Sequence, residues 1–144
     1  MTVLQDSLAA IDRFADALWI EDGLAANTLA AYRRDLDLFS AWLAQESGRS
    51  LEQASEADLL AYISARHTGT KATTANRRLS VFKRFFRWAL REHLALADPT
   101  LRLLTARQPL RMPKTLSEAQ VEALLAAPDI EATLGLRDRT MLEL

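Results

Sequence analysis

The chain has 144 residues, 49% of them apolar, with four Gly, four Pro and no Cys. That length holds one ordinary domain, or a small domain and part of another, and the composition fits packed helices rather than extensive disorder. Without Cys there is neither a disulfide framework nor thiol chemistry, and a formal net charge of -1, taken alone, argues against a polyanionic partner.

Charged residues interrupt the apolar runs well before the roughly 20 residues that a membrane-spanning helix needs. The N-terminus sets Asp6 and Asp12 around Leu8, Ala9 and Ala10, without the basic start and apolar run of a secretion signal. A cytoplasmic location is therefore expected. From about Leu4 to Ile20, the residues Leu8, Ile11, Phe14, Ala15, Leu18 and Trp19 recur at three and four positions, which predicts a helix with one buried stripe. Asp22-Gly23 ends it. A second helix is predicted from Asn27 to about Glu46, with Leu29, Tyr32, Leu36, Phe39 and Leu43 inward and Asp35, Asp37 and Glu46 outward. Asn27 or Thr28 is expected to cap it, and Ser47-Gly48 to stop it.

Ser55-Glu56-Ala57-Asp58 announces a third helix, because Ser55 can accept from first-turn N–H groups and Asp58 suits the positive helix end. It runs through Leu59, Leu60, Tyr62 and Ile63. After His67-Thr68-Gly69-Thr70 a fourth helix is predicted from about Lys71 to Arg91. Strand-period alternation of useful length is absent, so the expectation is an all-α domain over residues 1–104. Phe14, Trp19, Phe39, Trp42, Phe82, Phe85 and Phe86 are expected in its core.

Beyond Asp98-Pro99 the pattern weakens into a basic, proline-bearing stretch, read as a linker over residues 105–115. Ser117 with Gln120 then forms a capping-box pattern, Val121, Leu124 and Leu125 are expected to be buried, and Pro128 closes that helix. A further helical pattern runs from Leu134 to Leu144. Residues 116–144 are few for a core of their own, and are expected to open a second domain whose remainder is missing.

Charge is distributed very unevenly along this near-neutral chain. Residues 1–65 sum to -7, residues 66–93 to +7 and residues 94–144 to -1. Eight of the basic residues, Arg66, Lys71, Arg77, Arg78, Lys83, Arg84, Arg87 and Arg91, stand in the middle segment against Glu92 alone. At 100° per residue, Leu79, Phe82, Phe85, Phe86, Ala89 and Leu90 fall within a sector of about 140°, while Thr73, Asn76, Arg77, Ser80, Lys83, Arg84, Arg87 and Arg91 fall in a neighbouring sector of about 120°.

A helix of this length, roughly 30 Å, fits a DNA major groove. Its Lys and Arg heads can reach phosphates, with Thr73, Asn76, Arg77 or Ser80 at base edges. A solvated basic face and an acidic protein partner remain open as alternatives. Arg78 lies on the apolar side and is expected to snorkel or pair internally. Asn27, Thr28, Arg33 and Arg34 form a companion surface near the start of the second helix, where free N–H groups attract phosphate. His67 and His93 stand 26 residues apart with no Cys, which gives a zinc site little support. No activated nucleophile is recognisable, and Tyr32 and Tyr62 lie within apolar periodicity.

Three separated stretches carry a resemblance. Asp16-Ala17-Leu18-Trp19-Ile20-Glu21-Asp22-Gly23-Leu24 followed by Asn27-Thr28-Leu29-Ala30-Ala31-Tyr32-Arg33-Arg34-Asp35-Leu36 resembles the N-terminal domain of the Xer family of site-specific tyrosine recombinases. Pro113 to Leu125 and Leu136 to Leu144 resemble the start of that family's catalytic domain. The resemblance covers essentially the whole chain, in the family's order and spacing.

It implies a four-helix SAM-like, lambda-integrase-like core-binding domain, followed by the truncated start of a catalytic domain. The two domains of such a recombinase clamp double-stranded DNA, and two pairs of protomers assemble as a tetramer on two sites. The second and fourth helices face DNA, which carries a contact role onto Asn27, Thr28, Arg33, Lys71, Thr73, Thr74, Asn76, Arg77, Ser80, Lys83, Arg84 and Arg87. The implied chemistry is attack by a tyrosine on the scissile phosphate, giving a 3′-phosphotyrosyl link, with arginines stabilising the charged phosphorane and no metal or high-energy cofactor. The implied partners are a second Xer recombinase and the septal DNA translocase FtsK, in chromosome dimer resolution.

The resemblance places the catalytic residues beyond Leu144, and Arg137 and Arg139 in the structural helix before them. These 144 residues are therefore expected to bind DNA weakly and cleave none. A stand-alone helical DNA-binding or protein-interaction module without recombinase chemistry is the alternative reading.

Overall fold

A computed structural model describes residues 2–107 and 114–144, in two compact units divided between Gln108 and Pro109. The predicted linker over residues 105–115 falls largely outside the described residues. The first unit begins with α1 (Val3–Asp22), whose start is fixed by a reciprocal cap: the Gln5 N–H donates to Thr2 Oγ1 and the Thr2 N–H donates to Gln5 Oε1. α2 (Ala26–Ser47) follows after three residues. Both helices stop at a glycine in the left-handed region, Gly23 at φ 60° and Gly48 at φ 63°, a conformation that costs a residue with a Cβ.

The short connection makes α1 and α2 antiparallel neighbours, and α1 packs most extensively on α2. Its buried face consists of Ser7, Ala10, Ile11, Phe14, Ala15 and Leu18. Two expectations fail here: Leu8 is 40% exposed and Trp19 58% exposed. Both lie about 100° round the helix from the centre of the buried face, because small Ser7 and Ala10 take the inward positions.

A 3₁₀ turn, Leu51–Gln53, is not predicted by the periodicity and has a clear anchor. The Leu51 side chain is fully buried, and its N–H donates to buried Ser7 Oγ at 2.8 Å, while Ser7 Oγ donates to the Val3 carbonyl at 3.1 Å. α3 (Glu56–Ala65) starts as expected on a box formed by Ser55 and Asp58, and Arg49 adds an ion pair to Asp58 at 2.8 Å. α4 (Ala72–Arg91) then crosses the assembled layer.

The core lies where α1 to α4 meet. Phe39 of α2 sits 4.9 Å from Tyr62 of α3 and 5.0 Å from Phe82 of α4, measured between ring centroids. Phe14 of α1 meets Phe85 edge-on at 5.3 Å. Burial of each such ring stabilises by about 1.5–3 kcal/mol, and the edge-to-face geometry adds to that. α4 is buried more widely than its periodicity predicts, since Val81 and Trp88 join Leu79, Phe82, Phe85, Phe86 and Ala89 inside, while Leu90 is 42% exposed.

The second unit contains α5 (Glu118–Ala126) and α6 (Thr133–Glu143). Ser117 and Gln120 form the expected box. The expected burial of Val121 and Leu124 is not found: they are 41% and 46% exposed, and Leu125 is half-buried. Two short helices offer each other too little surface to cover both apolar sides. Gly135 is buried where the turn approaches α6 so closely that a Cβ would collide with the Asp129 carbonyl. Among the described residues no helix is long and apolar enough to cross a membrane.

Ser7→Ala is expected to destabilise the first unit by about 1–3 kcal/mol in urea unfolding, because it strands the buried Leu51 N–H. A loss below about 0.5 kcal/mol, the range of a neutral surface change, contradicts this anchoring. A second expectation concerns acid. Burial pushes the Asp58 carboxyl up, but hydrogen bonds from the Ser55 N–H and hydroxyl, with Arg49, outweigh it and hold the group below 3.8. Its contribution to stability is then present above the unfolded value and lost as pH falls through the folded one. The stability gap between the wild-type chain and Asp58→Asn should therefore close below about pH 3.8 in urea melts at successive pH values.

Candidate nucleic-acid interface

α4 is buried along the side formed by Leu79, Val81, Phe82, Phe85, Phe86, Trp88 and Ala89, so its polar sector is fixed by the core behind it. Thr73, Arg77, Ser80 and Arg87 are exposed there and Asn76, Lys83 and Arg84 are half-buried, while exposed Lys71 is the residue that precedes α4 and half-buried Thr74 lies outside the sector. The fold thus brings the predicted α4 residues onto one helix, but their side chains are not equally free.

Three of the arginines are already paired. Arg84 Nη2 lies 2.8 Å from Asp22 Oδ2 at the end of α1, with its guanidinium 6.0 Å from the Tyr32 ring centre. Partial burial acts against the Arg84 charge, but the hydrogen-bonded Asp22 carboxylate, with Tyr32 beside it, outweighs this and raises the pKa. Arg91 makes two parallel 2.9 Å bonds to Glu21, the bidentate arrangement that suits a guanidinium, and also reaches Glu92. Arg77 pairs with Asp35 at 2.8 Å. Lys83 and Arg87 have no carboxylate within ion-pair distance among the described residues, and with Ser80 and Arg84 they line a shallow cleft.

Asn76 is committed to the chain itself. Its Nδ2 donates to the Ala106 carbonyl at 2.9 Å and its Oδ1 accepts from the Ala106 N–H at 2.8 Å, so the amide braces the segment that follows the four-helix core. Ser80 Oγ donates to the Asn76 carbonyl at 3.0 Å. Helical phase alone offers both residues as base readers. In the structure the Asn76 side chain is an intramolecular brace, with the N–H and the carbonyl of a single residue, Ala106, meeting both of its polar atoms.

On α2, the capping expectation for Asn27 and Thr28 is corrected. The helix starts at Ala26 with extended Ala25 as its cap and no side-chain capping bond, so Asn27 and Thr28 lie inside the first turn. α4 also begins without a side-chain cap, at Lys71, whereas α1, α3 and α5 all begin with capping boxes. The start of α2 therefore presents exposed Asn27 and half-buried Thr28 with uncommitted side chains. Arg33 is drawn back to Asp12 of α1 in an ion pair.

Asp35 is the largest departure. The expectation places it in solvent beside Asp37, and it is 4% exposed. Its position carries the signal, three residues after Tyr32 and four before Phe39, within the apolar stripe of α2. Arg78 behaves as expected for an internal pair, 21% exposed with Nε 4.0 Å from Asp35 Oδ1. Asp37 is exposed, and burial of part of its surface raises its pKa, opposed by Arg33 and assisted by Asp12. No cluster of three metal-ligating side chains occurs among the described residues.

Residues 11–93 match the family described as phage integrase, N-terminal SAM-like domain. The chain is 66% identical to tyrosine recombinase XerD of Ralstonia nicotianae over 138 residues, covering 96% of this chain and 44% of that protein. It is 49% identical to tyrosine recombinase XerD of Pseudomonas aeruginosa over 144 residues, covering 99% and 47%, and 46% identical to that of Proteus mirabilis over 140 residues, covering 96% and 44%. The chain thus spans a little under half the length of these curated relatives.

The Asn76 brace makes a local prediction. Asn76→Ala removes both bonds to Ala106, and a loss of about 1 kcal/mol makes local opening roughly fivefold more frequent. Limited trypsin digestion should then cut after Arg107 about fivefold faster than in the wild-type chain. An unchanged rate means that the amide does not hold this segment.

Proposed function

Because the chain belongs to the phage integrase N-terminal SAM-like family, we propose that it is the DNA-gripping part of a XerD-type site-specific tyrosine recombinase. The observation that carries this reading is the sorting of α4: a helix anchored in the core along its apolar side presents a polar sector on which Lys83 and Arg87 are unpaired among the described residues, with Arg77, Arg84 and Arg91 beside them. Positive groups held on a rigid helix bind phosphate with little loss of freedom, and each contact releases counterions. Lys71, Thr73, Thr74, Ser80, Lys83 and Arg87 form the contact set at the start of α4 and along it, joined by Arg84 as Asp22 gives way to phosphate and by Arg77 through the part of its guanidinium that Asp35 leaves free. Asn27 and Thr28 contribute the start of α2, with Arg33 beside them.

The proposal extends to the whole recombinase. Strand cleavage through a 3′-phosphotyrosyl link, pairing with a second Xer recombinase in a tetramer, activation by the septal translocase FtsK and a cytoplasmic role in chromosome dimer resolution all belong to it. Residues 1–104 act as the core-binding domain, 105–115 as the linker and 116–144 as part of the catalytic domain. No catalytic role is assigned to Arg137 or Arg139, which pair locally with Asp138 and Glu143.

Fluorescence anisotropy with a labelled duplex, at two or more salt concentrations, tests the assigned face. Changing Arg77, Lys83, Arg84 and Arg87 together to Ala should weaken binding strongly, and should make log K less dependent on log salt by about 0.9 for each phosphate that is no longer neutralised. Equal binding by the quadruple variant removes these residues from the interface. Absence of salt-sensitive binding by the wild-type chain favours a protein-interaction module instead.

A further inference from the structure

Asp35 is the one buried charged residue in the first unit's described core, and it faces two arginines of α4. Arg77 Nη2 donates to Oδ1 at 3.2 Å and Nη1 lies 2.8 Å from Oδ2, while Arg78 Nε stands 4.0 Å from Oδ1. The two arginines differ in exposure: the Arg78 side chain is 21% exposed, whereas Arg77 is 48% exposed. Arg77 therefore has one edge of its guanidinium on a buried carboxylate and the rest at the surface, beside Ser80 and Arg84 on the polar sector of α4. A guanidinium carries five N–H donors in a rigid plane, so gripping one edge fixes where the other points.

We propose that Asp35 is a positioning residue for the DNA interface: it orients Arg77 of α4 toward a phosphate without touching DNA itself. This rests on the DNA-binding reading above. A buried ion pair is a poor way to gain stability, because desolvation of the charges offsets their attraction and an apolar pair would serve the core as well. The pair also leaves Asp35 Oδ2 and Arg78 Nε without hydrogen-bond partners of good geometry among the described residues. What Asp35 does accomplish is to restrict a long, flexible side chain before binding, so that less freedom is lost when a phosphate arrives.

Charge and positioning make opposite predictions for Asp35→Asn. Removing a negative charge behind a DNA-binding face should tighten binding if Asp35 acts only through its field. Loss of orientation should weaken it. With a fluorescein-labelled duplex of mixed sequence, Asp35→Asn is expected to bind about tenfold more weakly than the wild-type chain, with a salt slope shallower by about 0.9, the equivalent of one phosphate. In an Arg77→Ala background the same change should have no further effect.

Binding by Asp35→Asn that is equal or tighter, or a loss that persists undiminished without Arg77, overturns the proposal. Circular dichroism at the assay temperature establishes that each variant is folded. If Asp35→Asn is unfolded, Arg77→Lys decides, since it keeps the charge but loses the planar fork: binding as weak as that of Arg77→Ala supports positioning, and wild-type binding overturns it. No duplex binding by the wild-type chain at low salt overturns the DNA reading and this inference together, whereas a wild-type chain that binds and an Asp35→Asn variant that is unaffected removes this inference alone.

Discussion

The contact among Phe39 of α2, Tyr62 of α3 and Phe82 of α4 is the one on which the rest of the first unit depends. It fixes three helices at a single point, and Phe14 against Phe85 adds the fourth. All five rings are essentially inaccessible to solvent, so the rotation of α4 about its own axis is set from inside. A turn of α4 by one residue would swing charged side chains into this cluster at a cost of several kcal/mol each, far more than any surface ion pair returns. The orientation of the basic sector is thus a packing result, and the electrostatics act on a face already decided.

The acidic residues of the N-terminal half follow from that geometry. Glu21 and Asp22 at the end of α1 and Asp12 in its middle neutralise Arg91, Arg84 and Arg33. A chain with segments of -7 and +7 folds its opposite charges partly onto each other, which is why the overall near-neutrality does not describe any one surface. Lys83 and Arg87 escape this neutralisation because the two carboxylates at the end of α1, Glu21 and Asp22, are taken by Arg91 and Arg84.

Much of this is legible in the residues alone. The six α-helices follow from three- and four-residue periodicity, from Ser55 and Ser117 as caps, and from Gly23 and Gly48 as stops. These are local effects, and local sequence carries them. Leu8 and Trp19 depart from expectation because periodicity identifies a stripe but not which edge of it a neighbouring helix will cover, and Ser7 is preferred inside through its bond to Leu51, 44 residues away. The same limit applies to Asp35. Its helix spacing marks it as inward, but its charge argues for solvent, and only the arrival of Arg77 and Arg78 from 42 and 43 residues downstream makes an inward carboxylate tolerable. The apolar side of α5 is legible as a stripe, but nothing local states that its unit leaves it uncovered.

On the proposed reading, the paired arginines are not a defect of the interface. An exposed ion pair is worth about 0–1 kcal/mol, so exchanging Asp22 for a phosphate on Arg84 costs little, and the phosphate contact carries the added gain of counterion release. The exchange still subtracts from every binding event, whatever the DNA sequence. Non-specific affinity is thereby held down, while geometry that engages Lys83, Arg87 and the start of α2 together retains most of its advantage. Burial separates Asp35 from this pattern: Glu21, Asp22 and Asp12 can be displaced because water receives them, whereas a carboxylate inside the α2–α4 joint has nowhere else to go and keeps its arginine through binding.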